Sequence, residues 1–172
     1  MGHRDTDFQN PGQRRNGGVW LILDEEDRAL VVQPSYKDGV YHLVGGGAHR
    51  NEPPHLAAVR EAREEIGLTL VPDTMLIADW VPDNRGRSVE GSNYVFFHRL
   101  APDELDKIVL NAGGTPEGED AELLDYKLLT DDELETHCQP YMVRRIREAK
   151  AAVTDPTLRG YRVEGHPISE AA

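Results

Sequence analysis

Apolar residues in this chain fall into short runs set between polar and glycine-rich turns, and in two places the spacing lengthens into a helical period. Residues 18–23 (GVWLIL) and 29–34 (ALVVQP) flank the polar turn DEEDR, which predicts a hairpin of two core strands. Residues 40–44 (VYHLV) predict a third strand leading into Gly45, Gly46 and Gly47, expected as a loop. Over 53–66 good helix formers follow Pro53 and Pro54, which suit a first turn, and Gly67 supplies the stop. Runs at 75–81 and 93–100 predict two further strands joined by a hydrophilic loop. A glycine-rich acidic loop at 111–120 precedes a strand at 122–129, a short helix capped at Thr130 that takes in Cys138, and an amphipathic helix at 141–153.

Strands with one central and one C-terminal helix predict an α/β (α+β) fold, a mixed central sheet with helices packed on its faces. The expected division is a polar N-terminal segment at 1–17, one domain at 18–155 and a tail at 156–172. A length of 172 residues and a hydrophobic fraction of 38% suffice for one core.

Charge narrows the partners. With 19 Lys and Arg against 31 Asp and Glu the net charge is -12, which disfavours broad binding to nucleic acid or anionic membrane. A phosphate ligand would need a divalent cation between it and the protein. Cys138 is the single cysteine, so an intrachain disulfide and a cysteine zinc site are excluded. No apolar run reaches the ~20 residues a membrane helix requires. The expected setting is the cytoplasm.

The chemistry concentrates in 41–68, YHLVGGGAHRNEPPHLAAVREAREEIGL. On a helix Glu61, Glu64 and Glu65 stand at i, i+3 and i+4 and share one side, with Val59, Ala62 and Ile66 on another. Like charges at this spacing destabilise a helix, and near its C-terminus the dipole adds to the penalty. A solvated acidic face neutralised by Arg60 and Arg63 is the plain alternative. The adjacent glycines favour a cation site, because carboxylates and main-chain carbonyls suit Mg2+ or Mn2+ and glycine permits close approach.

The string Gly46, five residues, Glu52, seven residues, then Arg60-Glu61-Ala62-Arg63-Glu64-Glu65-Ile66-Gly67-Leu68 resembles the complete box of the Nudix hydrolases, G-x5-E-x7-R-E-U-x-E-E-x-G-U, at all seven fixed positions. The resemblance implies an α/β/α sandwich and a Mg2+- or Mn2+-dependent hydrolase of a small diphosphate, such as a nucleotide sugar, ADP-ribose or a nucleoside triphosphate. It implies metal ligation by Glu61, Glu64, Glu65 and the carbonyl of Gly45, orientation of the glutamates by Arg60 with Glu52 as its partner, a helix end at Gly67, and a homodimer as a frequent assembly. Many members carry Pro where this chain has Val44, a change that bears on the rigidity of the turn.

A carboxylate outside the box can serve as general base in this family. Glu119, Glu122 and Asp125 are the candidates, with Glu122 preferred because it lies four residues before Tyr126. Arg85 and Arg87, with Arg14 and Arg15, are loop cations able to grip phosphate. Trp20, Tyr36, Trp80, Tyr94 and Phe96 are either base-stacking or core residues. His42, His49 and His55 show no zinc-ligand spacing. Two other readings are a Nudix-fold module that senses a nucleotide without cutting it, and an enzyme of prenyl diphosphates, which calls for a catalytic cysteine in the sheet.

Overall fold

The computed structural model describes residues 14–36, 39–83, 89–114 and 121–170. Arg15–Leu23 forms β1 and Ala29–Pro34 forms β2, paired across the expected turn at Leu23 and Ala29. Asp24 shapes that turn, its carboxylate accepting from the Arg28 N–H and Arg28 Nε, both at 2.7 Å. From Gly17 to Leu23 every residue of β1 is buried. The unbroken run reflects a sheet covered on both faces: Val19, Leu21 and Leu23 enter one core and Trp20 and Ile22 the other.

His42–Leu43 (β3) pairs with β2, and Gly45–Gly47 (β4) pairs with β1. The chain changes partner at Val44, which is fully buried and whose carbonyl accepts the Trp20 N–H at 2.8 Å. The glycines are therefore a strand, in register Gly17 to Gly47 and Gly18 to Gly46, and not the expected loop. Gly45 has φ 126°, and a Cβ there would lie 2.3 Å from the Gly18 oxygen. Only glycine lets these two backbones meet.

Helix α1, Pro54–Ile66, crosses β1 directly at Gly18, where a Cβ would stand 1.8 Å from the Pro54 carbonyl oxygen. Ala57, Ala58, Ala62 and Ile66 are its fully buried apolar residues, while Val59 is half-buried. Trp20 lies in this core, donating from Nε1 to the Ala58 oxygen at 2.7 Å and meeting the Phe96 ring in a tilted pair with centroids 6.0 Å apart. Neither ring is available to a ligand. Trp20→Phe is expected to lower stability by about 1 kcal/mol, a fall of roughly 2–4 °C in Tm by calorimetry.

Met75–Val81 (β5) and Gly91–Arg99 (β6) are antiparallel, and β6 runs parallel to β1 along its whole length. A single turn, Pro102–Leu105 (α2), follows, and Leu123–Leu129 (β7) covers the outer edge of β2. Asp131–His137 (α3) and Pro140–Thr154 (α4) close the face opposite α1. Thr130 starts α3 as expected, its N–H donated to the Glu133 carboxylate at 2.8 Å. Cys138 lies just past the end of α3 rather than within a helix, buried in the α3–α4 core, where burial pushes its thiol up to about 11.

The segment expected as a tail is a correction. Residues 156–170 continue the fold: Gly160–Val163 (β8) runs parallel to β5, and His166–Pro167 (β9) pairs back on it. The sheet order is β3-β2-β1-β6-β5-β8-β9, with β4 beside β1 and β7 beside β2. Besides this pairing, one anchor of the segment is a buried carboxylate that sequence pattern does not reveal. Asp79 on β5 accepts from Arg145 Nε of α4 at 2.7 Å and from the Gly165 N–H of the β8–β9 turn at 2.8 Å.

Candidate active site

Helix α1 ends at Gly67 in the left-handed conformation, φ 75°, as its place in the sequence predicts. The last carbonyls of the helix are met by a following segment: Gly113 N–H donates to the Glu64 oxygen, Asn111 N–H to Glu65 and Val109 N–H to Ile66, at 2.9, 2.9 and 3.0 Å. The three glutamates are placed unequally. Glu64 is half exposed, Glu61 mostly covered, and Glu65 is buried at 5% exposure on the sheet side of the helix. Strand β4 accounts for this. Gly46 has room for no side chain because the Glu61 carboxylate lies 2.6 Å from where a Cβ would be, and the Gly45 N–H donates to Glu65 Oε2 at 2.7 Å.

Arg60 organises the outer side. Its guanidinium pairs with both oxygens of Glu52 at 3.0 Å, the expected partner, and also reaches Glu61 at 2.8 Å, Glu64 at 3.1 Å and the Gly47 carbonyl at 2.9 Å. These bonds and the His49 N–H hold Glu52 well below the usual carboxylate range. The guanidinium itself is raised by its Glu52 bonds. Glu61 is raised, by burial first, against the pull of Arg60. Glu65 is pushed up to about 8 by burial, with repulsion from Glu61, Glu122 and Glu64 adding to it and the Gly45 N–H opposing. Among the described residues Glu65 has no ion-pair partner.

A cleft of about 250 Å³ opens here, lined by Gly45, Gly46, Gly47, Glu61 and Glu65 on one side and by Pro34, Tyr36, His42, Glu122 and Leu123 on the other. Glu122 thus reaches the cleft just ahead of β7. Asp125 does not, being held by the Tyr41 hydroxyl at 2.6 Å and paired with Lys127 at 3.6 Å. Glu119, Arg85 and Arg87 lie outside the described residues. Arg14 pairs with Glu90 at 2.7 Å, and Arg15 Nε donates to the Val89 carbonyl. Of the aromatic candidates Tyr36 alone lines the cleft, 73% exposed; Trp80 and Tyr94 are half-buried in strands. His49 and His55 are exposed and away from the lining. Sequence reasoning missed Pro34, Leu123 and Asn111, the last marked only by its place before Gly113 and Gly114 in a turn.

Among the described residues no three acidic, His or Cys side chains already converge on one point, because Arg60 draws Glu61 and Glu64 to itself. The donor chemistry nevertheless fits a hard divalent cation. Glu61 and Glu65 are carboxylates covered from water with their charged forms disfavoured, set against a strand in which Gly45 and Gly46 have no room for side chains. A cation would lower that penalty.

A family model described as the NUDIX domain matches residues 12–147. The chain belongs to the Nudix family of hydrolases. Among curated proteins none matches it significantly. Solved structures similar to this Nudix fold include the MutT protein from Methanosarcina mazei Go1, with a TM-score of 0.63 at 18% identity over 85% of this chain and 99% of that one. The Nudix domain of Shewanella oneidensis NrtR complexed with ADP ribose aligns with a TM-score of 0.63 at 15% identity, over 86% and 93% of the two chains. An ADP-ribose pyrophosphatase from Streptococcus suis 89-1591 aligns at 0.59 and 16%, over 87% and 99%. At these identities the likeness establishes the Nudix fold. Among the described residues no helix is long and apolar enough to cross a membrane.

Proposed function

We propose that this Nudix protein is a divalent-cation-dependent pyrophosphohydrolase of the cytoplasm, cleaving the phosphoanhydride of a nucleoside diphosphate linked to another group, such as ADP-ribose, a nucleotide sugar or a nucleoside triphosphate. The supporting observation is Glu61 and Glu65 packed against the glycine strand, with Glu64 on the same helix and Glu122 across the same cleft. Glu61, Glu64, Glu65 and the Gly45 carbonyl would hold Mg2+ or Mn2+. Bound there, the metal neutralises diphosphate charge and acidifies a water. Arg60 orients Glu61 and Glu64 and anchors the helix to Glu52. Glu122, exposed at the rim and outside the Arg60 network, is the proton acceptor for the attacking water. Tyr36 offers an exposed ring on which a nucleobase can stack, and Arg85 and Arg87 are candidate phosphate grips. The assembly expected for this reading is a homodimer.

The test is a panel of ADP-ribose, nucleotide sugars, dinucleoside polyphosphates, nucleoside triphosphates and prenyl diphosphates, with and without Mg2+. ADP-ribose comes first because it is the ligand in the Shewanella structure and gives the Streptococcus enzyme its name. Phosphorylated products are expected only with metal, and Glu64→Gln is expected to slow their release about a hundredfold. Unaltered turnover in both Glu64→Gln and Glu65→Gln would overturn the reading. One observation favours a sensing module instead: Arg60 occupies two of the three glutamates. That reading requires ADP-ribose to bind by calorimetry with no product formed.

A further inference from the structure

We propose that Asn111 is a positioning residue that holds Glu122 at the rim of the cleft by tying the backbone of Leu123 to the C-terminal end of helix α1. The inference rests on Glu122 being the proton acceptor of the reading above. Asn111 joins two elements distant in sequence. Its main-chain N–H donates to the Glu65 carbonyl at 2.9 Å, between the parallel bonds from Val109 to Ile66 and from Gly113 to Glu64. Its side chain uses both ends of the amide on one residue: Nδ2 donates to the Leu123 carbonyl and Oδ1 accepts the Leu123 N–H, each at 2.9 Å. Leu123 is buried and directly follows Glu122.

Pairing with β2 does not by itself place this point of the chain. The register between β2 and β7 shifts at Gln33 and Pro34, opposite Leu123, and proline has no N–H to donate. The Ser35 N–H, bonded to the Glu122 carbonyl at 2.8 Å, supplies one tether, and the Asn111 amide supplies the second. Asn111 stands at φ 57°, a left-handed conformation that Asn tolerates better than most residues and that aims the amide back at β7. The same residue thereby links the helix end that carries Glu64 and Glu65 to Leu123, the residue that follows Glu122. The separation between the helix glutamates and the rim acid is set through it.

The probe reaction is Mg2+-dependent hydrolysis of whichever of ADP-ribose, diadenosine tetraphosphate and dGTP the unaltered protein cleaves fastest. Asn111→Gly keeps the left-handed backbone and removes only the amide. Its kcat is expected to fall roughly ten- to a hundredfold with KM changed less than about twofold. In a Glu122→Gln background the same change is expected to cost almost nothing, because the group it positions is gone. Asn111→Asp, which keeps an acceptor for the Leu123 N–H, is expected to fall between. Equal losses in both backgrounds, or a harmless Glu122→Gln, would overturn the proposal. Amide hydrogen exchange gives a reading independent of turnover: protection at Leu123 is expected to drop in Asn111→Gly while β1 and β6 stay protected, and unchanged protection overturns it. If none of the three compounds is cleaved, the exchange result alone decides whether Asn111 holds Leu123 in place.

Discussion

Glu65→Gln is expected to lower kcat/KM by about a hundred- to a thousandfold and, in the same protein without metal, to raise stability above pH 7. The first effect follows from the proposed role of Glu65 as a metal ligand, since a bound metal ion would contribute several kcal/mol of charge stabilisation, at about 1.4 kcal/mol per factor of ten. The second follows from burial. The Glu65 carboxyl is 5% exposed and titrates at about 8 against 4.5 in an open chain. Between those values the folded protein holds a proton that the unfolded chain has released, so stability declines as pH rises through the window. The size is on the order of a few kcal/mol by pH 8. Denaturant midpoints from pH 5 to pH 8 should slope downward in the unaltered protein and flatten in Glu65→Gln, with Glu61, raised by the same cause, leaving a residual slope. Mg2+ uptake near neutral pH should release a proton, visible by calorimetry in buffers of different ionisation enthalpy. A slope identical in the two proteins would show that Glu65 is ionised without metal.

Asp79→Ala is expected to destabilise by about 3–5 kcal/mol, a Tm loss of roughly 10 °C or more. Asp79 and Arg145 are both buried, and Arg145 Nη2 already has no hydrogen-bond partner among the described residues. Removing the carboxylate leaves an uncompensated guanidinium over the Tyr141 ring and frees the Gly165 N–H that anchors the β8–β9 turn. Replacing both charges with Asp79→Leu and Arg145→Met is expected to recover most of the loss, since a buried pair and a well-packed apolar pair differ little in net stability. Failure of the double variant to recover would mean that the Gly165 bond, rather than the stranded charge, carries the effect.

Much of this was legible from local pattern. The strand at Met75–Val81 and the helix ending at Gly67 stand where periodicity and stop signals put them. The Glu52–Arg60 pairing expected of the box is present and bidentate, tying the segment before the helix to the helix. What local pattern misread were residues whose state depends on a remote partner. Gly45, Gly46 and Gly47 resemble a loop until β1 lies beside them, and then they are a strand in which Gly45 is closed to a Cβ by the Gly18 backbone and Gly46 by the Glu61 carboxylate. Residues 156–170 resemble a tail because they are short and polar, and Arg145, an ordinary helix arginine by sequence, holds the Asp79 that anchors their turn.

By itself the sequence determined that three carboxylates share one stretch of chain: the spacing of Glu61, Glu64 and Glu65 is a property of one helix, and helical geometry carries it without reference to the rest of the chain. It also determined the family, through seven fixed positions in one continuous stretch. Only the tertiary structure decided that the three glutamates differ, Glu65 buried and raised, Glu61 against Gly46 and Glu64 open to solvent, because burial is set by what packs on the helix. Only the tertiary structure brought Glu122 rather than Asp125 to the cleft, because that choice depends on the Pro34 register shift and on Asn111, and long-range pairing leaves no periodic trace in a sequence.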